Sequence, residues 1–192
     1  MEQLNWEAPD YIAISVGDGC TIAGLWKGLK DLHAIGFIDK LPRLISAQAE
    51  GCCPLNRAIA SGEEWRPMEE NTLADSIAVG VPRNADKALM AIRESNGLVV
   101  NVSDAEIMAA QKLLGKTCGV FGEPAGVTGA AGLKKLCGQG KIPTDATVVS
   151  VVTGNGLKDV ANAIAACGEP ISIPGDMDLL LKAFADNGIV VE

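Results

Sequence analysis

Gly17-Asp18-Gly19-Cys20-Thr21 follow an apolar, β-branched run at 11–16 and precede a helix-like segment carrying Trp26, Lys27 and Leu29. A strand that turns through glycines straight into a helix aims several unpaired backbone N–H groups at one spot. The helix dipole adds positive potential there. Such a corner can hold a phosphate without any basic side chain. Two competing motifs fail: Ile22 stands where a dinucleotide fingerprint needs its third glycine, and Gly24 is followed by Leu25 rather than the Lys of a Walker A loop. A plain tight turn between strand and helix also fits these residues, and both readings stand at this point.

A second corner has the same character. A buried-type strand at 148–152 ends at Thr153, and Gly154-Asn155-Gly156 leads to a new helix from Leu157. Between the two corners lies 119–126, where Glu123 precedes Pro124. Open α/β sheets bind ligands outside the carboxyl ends of their strands, so two such ends in one chain predict one shared crevice. Cys20, at a predicted helix N-terminus, is read as a spacer of the loop rather than a reactive thiol. The other cysteines (Cys52, Cys53, Cys118, Cys137, Cys167) form no C-x-x-C, so no metal site is expected, and most are expected to be buried small hydrophobes. The single histidine, His33, has no serine or carboxylate motif beside it, and a hydrolase triad is unsupported.

The elements that must position these corners alternate. Strands are predicted at 11–17, 43–48, 97–102, 120–121, 148–152 and 171–173. Helices are predicted at 21–35, 54–60, 72–79, 85–95, 103–114, 127–137, from 157 to 166, and at 176–187. Ser103 and Glu106 have the spacing of a capping box. Residues 61–71 read as an exposed polar loop. Alternation of this kind predicts an α/β fold, a mostly parallel twisted sheet with helices on both faces, in a single domain over 1–192.

Composition narrows the function classes. The chain has 192 residues, 48% hydrophobic but 4% aromatic, which suits an aliphatic α/β interior. A net charge of −8 argues against nucleic acid and anionic membranes as partners. No apolar run is long enough to span a bilayer, and the first residues have no basic-then-apolar leader, so a cytoplasmic protein is expected.

Together, VGDGCTIAGLWKG (16–28), AEG (49–51), GEPAG (122–126) and VTGNGLKD (152–159) resemble the C-terminal half of threonine synthase. That family is pyridoxal-phosphate dependent and has fold type II, the tryptophan-synthase β-subunit fold. The resemblance implies that Gly17, Asp18, Gly19, Cys20 and Thr21 cradle the cofactor phosphate, with Asp18 pointing outward or capping the helix. It implies that the Thr153 hydroxyl meets the pyridine nitrogen, with Gly154, Asn155 and Glu123 also at the cofactor. Glu50 and Arg83 are weaker candidates for substrate contact. The Schiff-base lysine motif of the family is not found, so no catalytic residue is assigned. A missing N-terminal half is expected as a partner, together with homo-oligomers. The intact family converts O-phosphohomoserine to threonine and phosphate. Serine/threonine dehydratases and cysteate synthase share much of the site. A non-catalytic phosphate-binding or oligomerising module remains the alternative.

Overall fold

The structure is a computed structural model and describes residues 1–168 and 171–189. In chain order, β1 (Tyr11–Ser15) is followed by α1 (Cys20–Ala34), β2 (Arg43–Ala49), α2 (Pro54–Ser61) and a 3-10 turn at Asp75–Ile77. Next come α3 (Ala85–Glu94), β3 (Leu98–Val102), α4 (Asp104–Cys118) and α5 (Pro124–Gly138). β4 (Val148–Ser150), a 3-10 turn at Gly156–Lys158, α6 (Val160–Cys167) and α7 (Met177–Asp186) complete the described elements.

All four strands are parallel, in the order β3-β2-β1-β4. Every residue of β1 is buried, as expected of a central parallel strand covered on both faces. Its side chains alternate between two cores. Ile12 and Ile14 join Leu44, the α1 residues Ile22, Trp26 and Leu29, and apolar residues of α2 and α3. Tyr11 and Ala13 join Ile45, Ala47, Val100 and residues of α4 and α5. The chain therefore winds α1, α2 and α3 over one face and α4 and α5 over the other. The first three strands step outward in one direction, and β4 then returns to the opposite side of β1. Strand order reverses at β1, which makes the β1/β4 boundary the topological switch point.

Helix α5 lies close on the sheet because its inner face is glycine. A Cβ at Gly129 would sit 3.2 Å from the backbone of Ile14 and Ser15, and one at Gly132 would sit 2.8 Å from the Ala47 Cβ. Ser15 fixes the crossing. Its hydroxyl accepts from the Gly129 N–H at 2.9 Å and lies 3.3 Å from the Gly126 carbonyl, to which it donates.

A buried polar cluster holds α2 to the sheet. The Asn56 amide donates to the carbonyls of Ser46 and Val100 at 3.1 and 3.0 Å and accepts from the Ser46 hydroxyl at 2.7 Å. Gln48 accepts from the Asn56 N–H at 2.8 Å and donates to the Val16 carbonyl at 3.2 Å, tying this cluster to the end of β1.

Several expectations are corrected. Residues 72–79 hold only the 3-10 turn at Asp75–Ile77, and the Leu73 N–H just before it donates to the distant Asp104 carboxylate at 3.1 Å. Residues 120–121 form no strand. Gly119, at φ +66°, ends α4, and the Val120 N–H returns to the Leu114 carbonyl. Residues 171–173 have no ladder partner among the described residues and are not a strand. Only Cys52 and Cys53 are buried. Cys20 begins a helix, Cys118, Cys137 and Cys167 lie at or near helix C-terminal ends, and all four are exposed. Burial pushes the Cys52 thiol pKa up, consistent with a packing role. The Ser103–Glu106 capping box is present in both halves.

Candidate functional site

The end of β1 passes through Val16 and Gly17 into Gly19, whose φ of +84° lies in the left-handed region, and α1 begins at the next residue. Glycine suits this position on two counts. Its conformation is open to a residue without a Cβ, and an added Cβ would meet the Ala88 Cβ at 2.7 Å. Gly17 is constrained from the other side, where a Cβ would lie 2.8 Å from the Ile77 Cα. The 3-10 turn at Asp75–Ile77 therefore packs against this loop.

The backbone N–H groups of Gly17, Asp18, Gly19, Cys20, Thr21 and Ile22 have no acceptor among the described residues. The first intrahelical donor after them is Ala23, bonded to the Gly19 carbonyl. These amides lie along a cavity of about 160 Å³ lined by Ser15 to Ile22, Ser76, Ile77, Ala125 and Thr153. The two glycine-rich corners thus meet at the switch point. Among the lining residues, Ser15, Val16, Ile22, Ser76, Ile77 and Ala125 are not among the residues expected from sequence; the first three flank the loop itself. Ser76 and Ile77 belong to the 3-10 turn where the sequence predicts a helix, and Ala125 lies beside Glu123 within GEPAG.

The other expected site residues stand at different distances from this cavity. Glu123 is 6% exposed and belongs to a neighbouring cleft of about 300 Å³, shared with Asp75, Ser76, Ala125, Lys158 and Asp159. It occupies the N-cap position of α5, yet its side chain makes no cap hydrogen bond. Its carboxylate instead accepts from the Lys158 ammonium at 3.0 Å. Glu123 and Gly154 form one joint: the Glu123 N–H donates to the Gly154 carbonyl at 2.8 Å, and a Cβ on Gly154 would lie 1.9 Å from the Glu123 carboxylate. Asn155 caps the following 3-10 turn by accepting from the Leu157 N–H at 2.9 Å. Gly156 is required by Phe121, whose ring would be 2.4 Å from an added Cβ.

Asp18 does not cap α1, because Gly19 holds that position and no side-chain cap bond forms. The Asp18 carboxylate accepts from the Arg83 N–H at 2.9 Å and from the Arg83 guanidinium at 2.8 Å. These hydrogen bonds hold the Asp18 pKa below the usual carboxylate value. Arg83 thus engages the loop itself, and neither Arg83 nor Glu50 lines the cavity. Glu50 accepts instead from Lys135 at 3.2 Å, an ammonium that Glu106 and the Asn101 carbonyl also hold.

The donor set fits a phosphate group: main-chain amides without acceptors at a helix N-terminus, and Thr21, whose side chain carries a hydroxyl, among the lining residues. Thr153 faces the same space from the β4 side.

Comparisons with known proteins bear on the family and the fold. The chain is 42% identical over 184 residues to threonine synthase of Methanosarcina acetivorans, covering 95% of this chain and 45% of that protein. It is 43% identical over 183 residues to threonine synthase of Methanocaldococcus jannaschii, covering 94% and 45%. The chain therefore spans about half the length of the curated relatives it matches. Among solved structures, an L-serine ammonia-lyase from Rhizomucor miehei is similar with a TM-score of 0.63 and 25% identity, covering 80% of this chain and 48% of that one. Threonine deaminase isoform 2 from Solanum lycopersicum shares the fold with a TM-score of 0.63 at 20% identity, covering 83% and 43%. A family described as "Pyridoxal-phosphate dependent enzyme" matches residues 1–154, a span that includes the amide loop, the start of α5 and Thr153. By that match the chain belongs to the pyridoxal-phosphate dependent enzyme family.

Proposed function

We propose that this chain is the phosphate- and ring-binding portion of a threonine-synthase-like enzyme. In that role the amides of Gly17 to Thr21 and the Thr21 hydroxyl hold the cofactor phosphate. Thr153 offers its hydroxyl to the pyridine nitrogen. Such a partner leaves that nitrogen largely unprotonated and suits elimination and replacement chemistry. When bound, pyridoxal phosphate supplies the electron sink that activates bonds of an amino-acid substrate. Glu123, held by Lys158 and packed on Gly154, fixes the turn that carries Thr153. The lysine that anchors the cofactor is assigned to the part of the relatives that this chain does not span. With that part, the reaction is conversion of O-phosphohomoserine to threonine and phosphate.

The observation that carries this reading is the joint lining of one cavity by the six free amides and Thr153 at the switch point. The substrate assignment rests on the relatives named threonine synthase. The likeness to an ammonia-lyase keeps a dehydratase as the second reading.

Thermal unfolding of the purified chain with increasing pyridoxal phosphate or inorganic phosphate tests the reading. A ligand that binds only the folded state stabilises it by about 2.7 kcal/mol at 100 times its Kd. Phosphate should raise Tm in the parent chain and less so in Thr21→Ala, whose exposed hydroxyl has no protein partner among the described residues. Equal stabilisation of both chains would remove Thr21 from the site. No stabilisation by either ligand would overturn the cradle.

A further inference from the structure

A carboxylate inside a phosphate loop is an electrostatic liability. Two like charges a few ångströms apart oppose each other, and a dianion doubles the effect. Asp18 occupies that place, between two glycines that line the cavity and whose N–H groups have no acceptor among the described residues. Its carboxylate is fully engaged from the side of α3. The Arg83 N–H reaches one oxygen at 2.9 Å, and the guanidinium reaches the other through Nε at 3.0 Å and Nη2 at 2.8 Å. Asn84 completes the brace. Its N–H donates to the Asp18 carbonyl at 3.1 Å, and its side-chain amide donates to the Gly19 carbonyl at 3.2 Å. Asn84 is the N-cap residue of α3, yet its side chain makes no cap bond there and is committed to the loop.

We infer that Arg83 is a charge-balancing and positioning residue of the anion cradle, cancelling Asp18 beside the bound phosphate while the Arg83–Asn84 segment holds the loop in shape. This rests on the cradle reading above and deepens it. The Arg83 side chain is 85% exposed. Exposed ion pairs add little to fold stability, so the pair's value lies in what it does to a nearby anion. The mutual effect is visible in both partners, with Asp18 held below and Arg83 above their ordinary pKa values by the hydrogen bonds between them.

The test is an amide-resolved NMR titration of the chain with inorganic phosphate at low ionic strength, in Arg83→Ala, Arg83→Lys, Asp18→Asn and the double variant D18N/R83A. Spectral dispersion reports folding in each. In the parent chain the amides of residues 17–22 should shift. Arg83→Ala should bind roughly five- to tenfold more weakly, the effect of one unbalanced charge near a dianion in a water-like dielectric. Arg83→Lys and D18N/R83A should return to within about twofold of the parent, because each restores neutrality. Asp18→Asn should bind at least as tightly as the parent. The Arg83→Ala deficit should shrink in high salt. Unchanged affinity in Arg83→Ala would overturn the inference and leave the cradle standing. A double variant as weak as Arg83→Ala would reduce Arg83 to a purely steric brace and overturn charge balancing. Phosphate without effect on amides 17–22 of the parent would overturn the cradle, and this inference with it.

Discussion

Replacing Gly19 by alanine separates a required conformation from an incidental glycine. Two costs add at this position. A residue with a Cβ pays about 1–2 kcal/mol to hold the left-handed conformation that Gly19 occupies at φ +84°. The new methyl also meets the Ala88 Cβ at 2.7 Å and the Asn84 carbonyl at 3.1 Å, closer than packed atoms sit. Overpacking of this kind costs about 1–3 kcal/mol. The sum is a loss of about 2–5 kcal/mol, or roughly 4–20 °C in Tm for a chain of this size.

Gly24 is the matched control. It lies inside α1, is exposed, and has nothing within 4 Å of a would-be Cβ. Gly24→Ala should stabilise the chain by about 0.5–1 kcal/mol through helix propensity. Both variants are measured by thermal and guanidinium unfolding, with unchanged m values confirming a like-for-like comparison. A Gly19→Ala chain within about 0.5 kcal/mol of the parent, alongside a stabilised Gly24→Ala, would refute the reasoning: the loop would then reach the same shape without a glycine-specific backbone.

Two further outcomes follow from the same contacts. Asn56→Ala leaves the Ser46 hydroxyl and the Ser46 and Val100 carbonyls without their buried partner and should cost about 2–3 kcal/mol in denaturant unfolding; a change under about 0.5 kcal/mol would mean that the cluster is dispensable. Asp18 has a depressed folded pKa, so its contribution is fully present above its unfolded value near 3.8 and is lost as pH falls through the lower folded value. Stability of the parent minus that of Asp18→Asn should therefore be flat above about pH 5 and shrink below about pH 4, and a difference that grows on acidification would contradict the ion pair.

The sequence made the scaffold legible where one local signal dominated. The β-branched run of β1, the capping box at Ser103 and Glu106, and the glycine corner before α1 each carry their own cause within a few residues. The failures share a different cause. At 72–79 the apolar pattern suits a helix, but the segment forms only a 3-10 turn and is tied at Leu73 to Asp104, about thirty residues away. Arg83 reads as a substrate-contact candidate from sequence because nothing local reveals that residue 18 supplies its partner. Glu123 is expected at the cofactor, and nothing local shows that Lys158 is its partner. Their contact closes only once β4 and α5 are adjacent. Long-range pairings of polar groups leave no periodic trace, whereas burial of apolar faces does.

The cavity is made chiefly by main chain brought close to main chain, and this dictates which substitutions it can bear. Gly17 approaches Ile77, Gly19 approaches Asn84, and Gly126 approaches Gly154 at distances that no Cβ would tolerate unmoved. Donors of this kind are the same whatever side chain sits at Cys20, which faces solvent. Chemical identity at the site therefore resides in the hydroxyls of Thr21 and Thr153 and in the Asp18–Arg83 pair, and shape resides in the glycines. A change at a glycine acts through the fold and lowers stability with or without phosphate. On the proposed cradle, a change at Thr21 acts through the ligand and shows only when the anion is present, whereas a change at Arg83 acts both through the ligand and through the ion pair with Asp18 that the fold holds without it. The difference between unfolding curves taken with and without phosphate thus separates the glycines from Thr21, with Arg83 contributing to both curves, without reference to any catalytic assay.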